Sequence, residues 1–314
     1  MKFKKILVIN ITEDRLDSNY WKRLEDLGDK VVRLPQDSDQ IQNELKDSDC
    51  ILTGFNINVG KNEIDSAPNL RYISPLATAY GKIDVEYAKR KGVVVTNVPG
   101  YATESVAELV FAVILENIRD LARTKEVAKK GDYSGVGFKA SEIKDKIFAV
   151  LGGGKIGSRV VQIAKGFNAD VRYWSKNKKE DLEKIGARYQ DADKLISEAD
   201  IISLHLAETT ETKKFLNSKR INSIKPGVLI ISTVPNEITD LDALEERLKK
   251  GDITFITDHS DEMSEKDIKR FSKFKNCVLY PSIGYISSEA RRAKQEIFFE
   301  NMKAFLQGKP QNTV

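Results

Sequence analysis

The chain has 314 residues, 40% hydrophobic and 31% charged, more than one hydrophobic core comfortably fills, so two globular domains are expected. Its 51 Lys and Arg against 47 Asp and Glu leave a formal net charge of +4, with both signs interspersed and no Arg-rich aromatic stripe, which makes nucleic acid a poor partner. Met1 to Ile9 passes from charge straight into a strand pattern, too short an apolar run for a signal peptide, and no later run is long enough to span a bilayer. The expectation is a cytoplasmic protein with no membrane partner. Cys50 and Cys277 each lie in an apolar run and read as buried, reduced thiols, so neither a disulfide nor a metal site is expected.

Residues 5–10 read as a buried parallel strand. A helix follows around Tyr20 to Leu27, then a strand Val31 to Leu34, a helix around Ser38 to Lys46, and strands at Cys50 to Thr53 and Arg71 to Ser74. A helix near Val85 to Lys91 leads to Val93–Val95, and the turn signal Pro99-Gly100 ends this first lobe. Ala102 to about Lys130 has no Gly or Pro and reads as one long helix, with Gly131 to Phe138 breaking the pattern. A second series then runs through Phe148–Leu151, Val171–Trp174, Ile201–Leu204, Val228–Ile231, Ile253–Ile256 and Val278–Tyr280, helices between, and Ser287 to Gln307 closes as a helix. Strands alternating with helices mean βαβ units and parallel sheets. Two doubly wound α/β lobes with a cleft between them are expected.

Gly152-Gly153-Gly154-Lys155-Ile156-Gly157 follows a hydrophobic strand and opens an amphipathic helix. The first glycine permits a tight turn, the second lets backbone approach a pyrophosphate, the third lets helix and strand pack closely, and the helix N-terminus favours the negative charge. In that strand–turn–helix frame the motif points to a dinucleotide. Where an NAD site places a carboxylate at the end of the next strand, this chain has Ser175 followed by Lys176, Asn177, Lys178 and Lys179. A hydroxyl and three ammonium groups suit a 2′-phosphate, so NADP is expected, with NAD possible. The plain alternative is a solvated Lys-rich loop.

These residues resemble the D-isomer-specific 2-hydroxyacid dehydrogenases, closest to the glyoxylate/hydroxypyruvate reductase-like members. Gly81-Lys82-Ile83-Asp84, Gly92 through Glu108, Ala199 through Leu206, and Lys225-Pro226-Gly227 carry the resemblance across nearly the whole chain. It implies a Rossmann NAD(P)-binding domain, residues 101–285, inserted into a flavodoxin-like substrate domain, residues 1–100 and 286–314. It also implies a homodimer built on the helix after Ala102 and a small-molecule 2-oxo or 2-hydroxy acid substrate. Thr103, Val106 and Asp258 match positions at the nicotinamide end of the cofactor, and Thr233 joins the cofactor-binding set.

The family's chemistry uses an Arg for the substrate carboxylate, a His for the proton and a Glu that raises the basicity of that His. The matching positions carry Pro235, Ser282, and Met263 or Glu262. Proline offers no charge or donor, and serine is a poor proton donor. Ordinary activity of the family is therefore not expected. An oxidoreductase with a rebuilt site would draw on His259, Tyr101, Tyr80, Tyr285 and Ser282 for protons and on Lys82 for charge. His259 ranks first, because it adjoins Asp258 at a strand end; His205 reads as structural. The competing expectation is a catalytically inactive NADP-binding regulatory or partner-binding protein.

Overall fold

The computed structural model describes all residues, Met1–Val314, and the chain forms two compact units. Unit 1 comprises Met1–Tyr101 and Ser287–Val314; unit 2 is Ala102–Ile286. No helix is long and apolar enough to cross a membrane.

Unit 1 holds five parallel strands: β1 Phe3–Ile9, β2 Gly28–Leu34, β3 Cys50–Thr53, β4 Tyr72–Pro75 and β5 Val94–Val95, in the order β2-β1-β3-β4-β5. Ile6, Leu7 and Val8 in β1 and all of β3 are buried, because helices cover both faces of the sheet. Lys5 is the exception inside β1; its ammonium pairs with Glu44 at 2.7 Å. Helix Ser288–Leu306 returns from the far end of the chain and places Phe298, Phe299 and Met302 in the core against Phe3, Ile6 and Leu52. Cys50 and Cys277 are both free and buried, and burial pushes the Cys277 thiol up to about 12.

Unit 2 holds seven parallel strands: β6 Ile147–Leu151, β7 Asp170–Trp174, β8 Arg188–Tyr189, β9 Ile201–Leu204, β10 Leu229–Ser232, β11 Thr254–Thr257 and β12 Cys277–Leu279. Their order is β12-β11-β10-β9-β6-β7-β8, so chain direction across the sheet reverses between β6 and β9. In a sheet of this kind the crevice outside the C-terminal strand ends, at that reversal, is where ligands bind.

The single long helix expected from Ala102 to Lys130 is not formed. The chain makes helix Thr103–Ile118, turns, and makes helix Leu121–Lys129. Asp120 sits between them at φ 50°, ψ 43°, a left-handed conformation that Asp adopts more readily than most residues. The Ile118 carbonyl, freed by the break, accepts a hydrogen bond from the Ser141 N–H at 3.0 Å. The strand expected over Val31–Leu34 begins three residues earlier, at Gly28, and two further elements went unread: helix Lys61–Asp65 stands where none was expected, and β8 adds an edge strand of two residues. The helix expected over Ser38–Lys46 is confined to Ile41–Leu45.

Candidate cofactor and active site

β6 delivers the glycine-rich turn, and each glycine has its own reason. Gly152 lies at φ +114°, and a side chain there would meet the His205 carbonyl at 2.3 Å. A Cβ on Gly157 would lie 1.8 Å from the Gly152 carbonyl, so the helix seats directly on the turn. Gly154 differs: a Cβ there meets nothing within 4 Å. Protein packing does not demand the middle glycine, and the space it leaves is where a pyrophosphate approaches backbone. Helix Lys155–Gly166 starts at Gly154 with no side-chain cap, leaving first-turn N–H groups for an anion. Lys155 is exposed and Ile156 half-buried against the core. The turn fits a dinucleotide.

The end of β7 is more ordered than its lysine content suggests. The buried Ser175 hydroxyl donates to the Asn177 carbonyl. Lys176 pairs with Glu211 at 2.8 Å, both exposed. Lys178 lies 5.4 Å from the Tyr189 ring, and the Lys179 N–H donates to the Tyr173 hydroxyl. Lys178 and Lys179 form no ion pair, whereas Lys176 is partly neutralised.

Four further strand ends lie on the same edge of the sheet. His205, after β9, hydrogen-bonds Ser203 Oγ through Nε2 (2.8 Å) and Thr233 Oγ1 through Nδ1 (3.2 Å). Burial pushes its pKa down to about 3, so it is neutral and structural, and Thr233 is tied to it. After β11, the buried Asp258 carboxylate accepts from the Gly284 N–H at 3.1 Å and engages His259 Nδ1 at 2.8 Å. Gly284 must be glycine, because a Cβ would sit 2.6 Å from that carboxylate, with Val106 and Leu109 close behind. Burial alone would lower the His259 pKa; the hydrogen bond and charge of Asp258, with Glu262 and Asp261 beyond, outweigh it and raise it overall. His259 Nε2 makes no hydrogen bond. Asn236, next to Pro235, donates its amide to the His259 carbonyl at 2.9 Å. Ser282 is committed elsewhere: its hydroxyl donates to Asp261 at 2.6 Å and its N–H at 3.1 Å. Thr103 and Val106 open the helix beside Gly284, Val106 buried.

Lys82 and Tyr101 belong to unit 1. Lys82 lines a pocket of about 270 Å³ with Thr53, Gly54, Phe55, Tyr80 and Gly81, at the C-terminal ends of β3 and β4. Tyr101 is half-buried, with the Lys294 ammonium 5.5 Å from its ring. Asp261 and Gly284 escaped the sequence reading. Asp261 lies 21 residues from Ser282, and no local spacing announces their pairing.

A doubly wound sheet, a glycine-rich turn fitted to a pyrophosphate and a histidine held by a carboxylate along one edge define a dinucleotide-dependent oxidoreductase. Residues 111–284 match the family described as D-isomer specific 2-hydroxyacid dehydrogenase, NAD binding domain. A glyoxylate reductase of Thermococcus litoralis is 33% identical over 280 residues, covering 86% of this chain and 85% of that protein. The chain belongs to the D-isomer-specific 2-hydroxyacid dehydrogenase family, as NAD(P)-dependent oxidoreductases acting on CH–OH groups. Among solved structures, D-lactate dehydrogenase from Aquifex aeolicus, complexed with NAD and lactic acid, superposes with a TM-score of 0.83 at 28% identity, covering 97% of this chain and 96% of that one. An acyclic imino acid reductase in complex with NADPH and D-Arg superposes with a TM-score of 0.84 at 28% identity, covering 99% of each chain.

Proposed function

We propose that the protein is an NADP-preferring reductase of this family with a rebuilt proton-transfer group, His259, oriented by Asp258. The bound nicotinamide supplies or takes the hydride; this chain's residues do the rest. Gly152, Gly154, Lys155, Ile156 and Gly157 hold the pyrophosphate, Ser175, Lys176, Asn177 and Lys178 face the 2′-phosphate, and Thr103, Val106, Thr233 and Asp258 shape the nicotinamide end. Asp258 fixes the Nδ1–H tautomer of His259, which leaves Nε2 to hold or give a proton. Tyr101 and Lys82 belong to the substrate domain, unit 1, and Ser282 acts through its bond to Asp261 rather than as a proton donor. The solved relative bound to NADPH supports the cofactor preference, and its imino acid substrate supports an atypical one here.

The Asp258–His259 hydrogen bond carries this reading: a buried carboxylate is costly unless hydrogen-bonded and paired, the Gly284 N–H and His259 Nδ1 supply those partners, and the same bond holds the imidazole in one orientation. The test is His259→Gln. The expected result is a fall in turnover of about 10²–10⁴ with NADPH affinity unchanged. Undiminished turnover rejects His259. Tight NADPH binding by the native protein with no turnover of any carbonyl or imine favours the inactive, partner-binding alternative.

A further inference from the structure

Several cations drawn into the body of this protein are answered by an acid. Lys5 pairs with Glu44, Lys225 with Asp200 at 2.8 Å and Arg247 with Asp252 at 3.1 Å. Lys294 is not. It lies in the second turn of helix Ser288–Leu306, half-buried, with neither a hydrogen bond nor an ion pair. Asp17, Asp14 and Glu296, on the loop after β1 and on its own helix, are committed elsewhere. Asp17 takes Arg291 at 2.6 Å and the Gln295 amide at 2.8 Å, Asp14 lies 3.7 Å from Arg15, and Glu296 accepts from Arg23 and Tyr20. The Lys294 ammonium instead meets the Tyr101 ring at 5.5 Å and the charges of Arg15 and Arg291. Burial holds its pKa below the ordinary lysine value, and those two cations lower it further. A ring face compensates a cation only weakly, so a partly desolvated charge facing two like charges gains from an arriving anion.

The position suits a ligand. Arg15 stands on the loop leaving β1 and Tyr101 ends the segment leaving β5, which puts Lys294 at the C-terminal edge of the unit 1 sheet, the edge at which parallel α/β sheets bind ligands. The local charges set the ligand's charge. Lys294, Arg15 and Arg291 against Asp14 and Asp17 leave one positive charge, which matches a carboxylate better than a phosphate dianion. Lys82 also lacks an ion pair, but it is exposed and lines the pocket of Phe55 and Tyr80, so it keeps its water and has less to gain. In the reading proposed above, His259 serves the reacting carbonyl and Pro235 stands where the family places its Arg, so the acid group of a substrate still needs a cation.

We propose that Lys294 binds the carboxylate of a 2-oxo acid substrate, with Arg15 and Arg291 strengthening the positive field and Tyr101 bounding the site. The assignment rests on the oxidoreductase reading and names the group that holds its substrate. An ammonium is a point charge without a fork, so it anchors the carboxylate without fixing its plane, and it acts on binding more than on turnover.

The test uses the full-length protein with NADPH. Oxamate, an unreactive monoanion shaped like a 2-oxo acid, should raise the Tm of the NADPH complex. Lys294→Met should abolish that shift, Lys294→Arg should keep part of it, and Lys82→Met should cost less of it than Lys294→Met. In steady state the native protein should prefer pyruvate to methyl pyruvate, the same ketone without the charge. Lys294→Met should cut that preference about 10–100-fold, chiefly through KM. Methionine keeps an apolar stem beside Tyr101, and a merely structural lysine would cost acid and ester alike. Equal losses for acid and ester, no oxamate shift in the native protein, a shift that survives Lys294→Met, a larger loss in Lys82→Met, or an equal shift from chloride overturns the assignment and leaves the oxidoreductase reading standing. Failure to bind NADPH removes that reading itself.

Discussion

His205 and His259 lie at the ends of two strands of one sheet and titrate in opposite directions. His205 is boxed between Ser203 and Thr233 with no carboxylate, and burial keeps it neutral to about pH 3. Unfolded, it takes a proton below its ordinary 6.5, so the native state loses stability as pH falls from about 6.5 toward 3. At pH 5 that loss is about 2 kcal/mol. Urea unfolding at pH 7 and pH 5 should show His205→Gln losing correspondingly less than the parent. His259 shifts the other way. Its stabilising contact with Asp258 is fully present below pH 6.5 and fades as pH rises through the raised native value. An NMR titration should place the His259 midpoint above the ordinary histidine value and Asp258→Asn should bring it down; a midpoint unmoved by Asp258→Asn contradicts the pairing.

Two more expectations belong to single side chains. NADPH should bind more tightly than NADH in a fluorescence titration, and Lys176→Ala with Lys178→Ala should weaken NADPH far more than NADH. Because Lys176 already pairs with Glu211, the larger share of that loss should follow Lys178. Glyoxylate and hydroxypyruvate should be reduced about 10²–10⁴ more slowly than by family members that keep the Arg and His, which a side-by-side steady-state assay checks. The glycine loop and the Asp258-His259 neighbours were legible because adjacent residues carry them. The Ser282–Asp261 bond and the Gly284 clamp were not, since both are made by residues from different loops that only the sheet brings together.

Among the elements, the buried strands were readable because helices cover both faces and leave continuous apolar runs. β2 and β8 lie at sheet edges, and their polar residues, Asp29, Lys30 and Arg188, carry no such signal. The break at Asp120 was hidden because neither Gly nor Pro marks it. That break changes the argument for a homodimer. On helix Thr103–Ile118, Phe111 stacks on Phe148 and Phe167 within the unit, so much of the apolar surface is already covered. Past the break the cover ends: helix Leu121–Lys129 buries no residue, and Leu121, Tyr133 and Val136 are exposed. A second copy of the chain is expected to cover them. Sedimentation equilibrium at micromolar protein should report a dimer, and Tyr133→Glu with Val136→Glu should shift it toward a 35.4 kDa monomer without the risk of unfolding that a charge at Phe111 brings. A monomeric parent protein contradicts the homodimer.

Across the chain, the alternation of strands and helices announces two parallel sheets before any coordinate does, yet it is silent on where the last residues go. They go home to unit 1. Thr313 bridges to Thr96, the Val314 N–H donates to the Val95 carbonyl, and the Asn97 N–H donates to the Asn312 carbonyl. With Phe298, Phe299 and Met302, the final segment supplies both core and edge to a sheet whose strands were made first. During synthesis, unit 2 is therefore complete while unit 1 still waits for residues 287–314, so Met1–Tyr101 is secured after the unit that follows it in the chain. A chain halted at Ile286 should protect Ala102–Ile286 from a protease and leave Met1–Tyr101 open to cleavage.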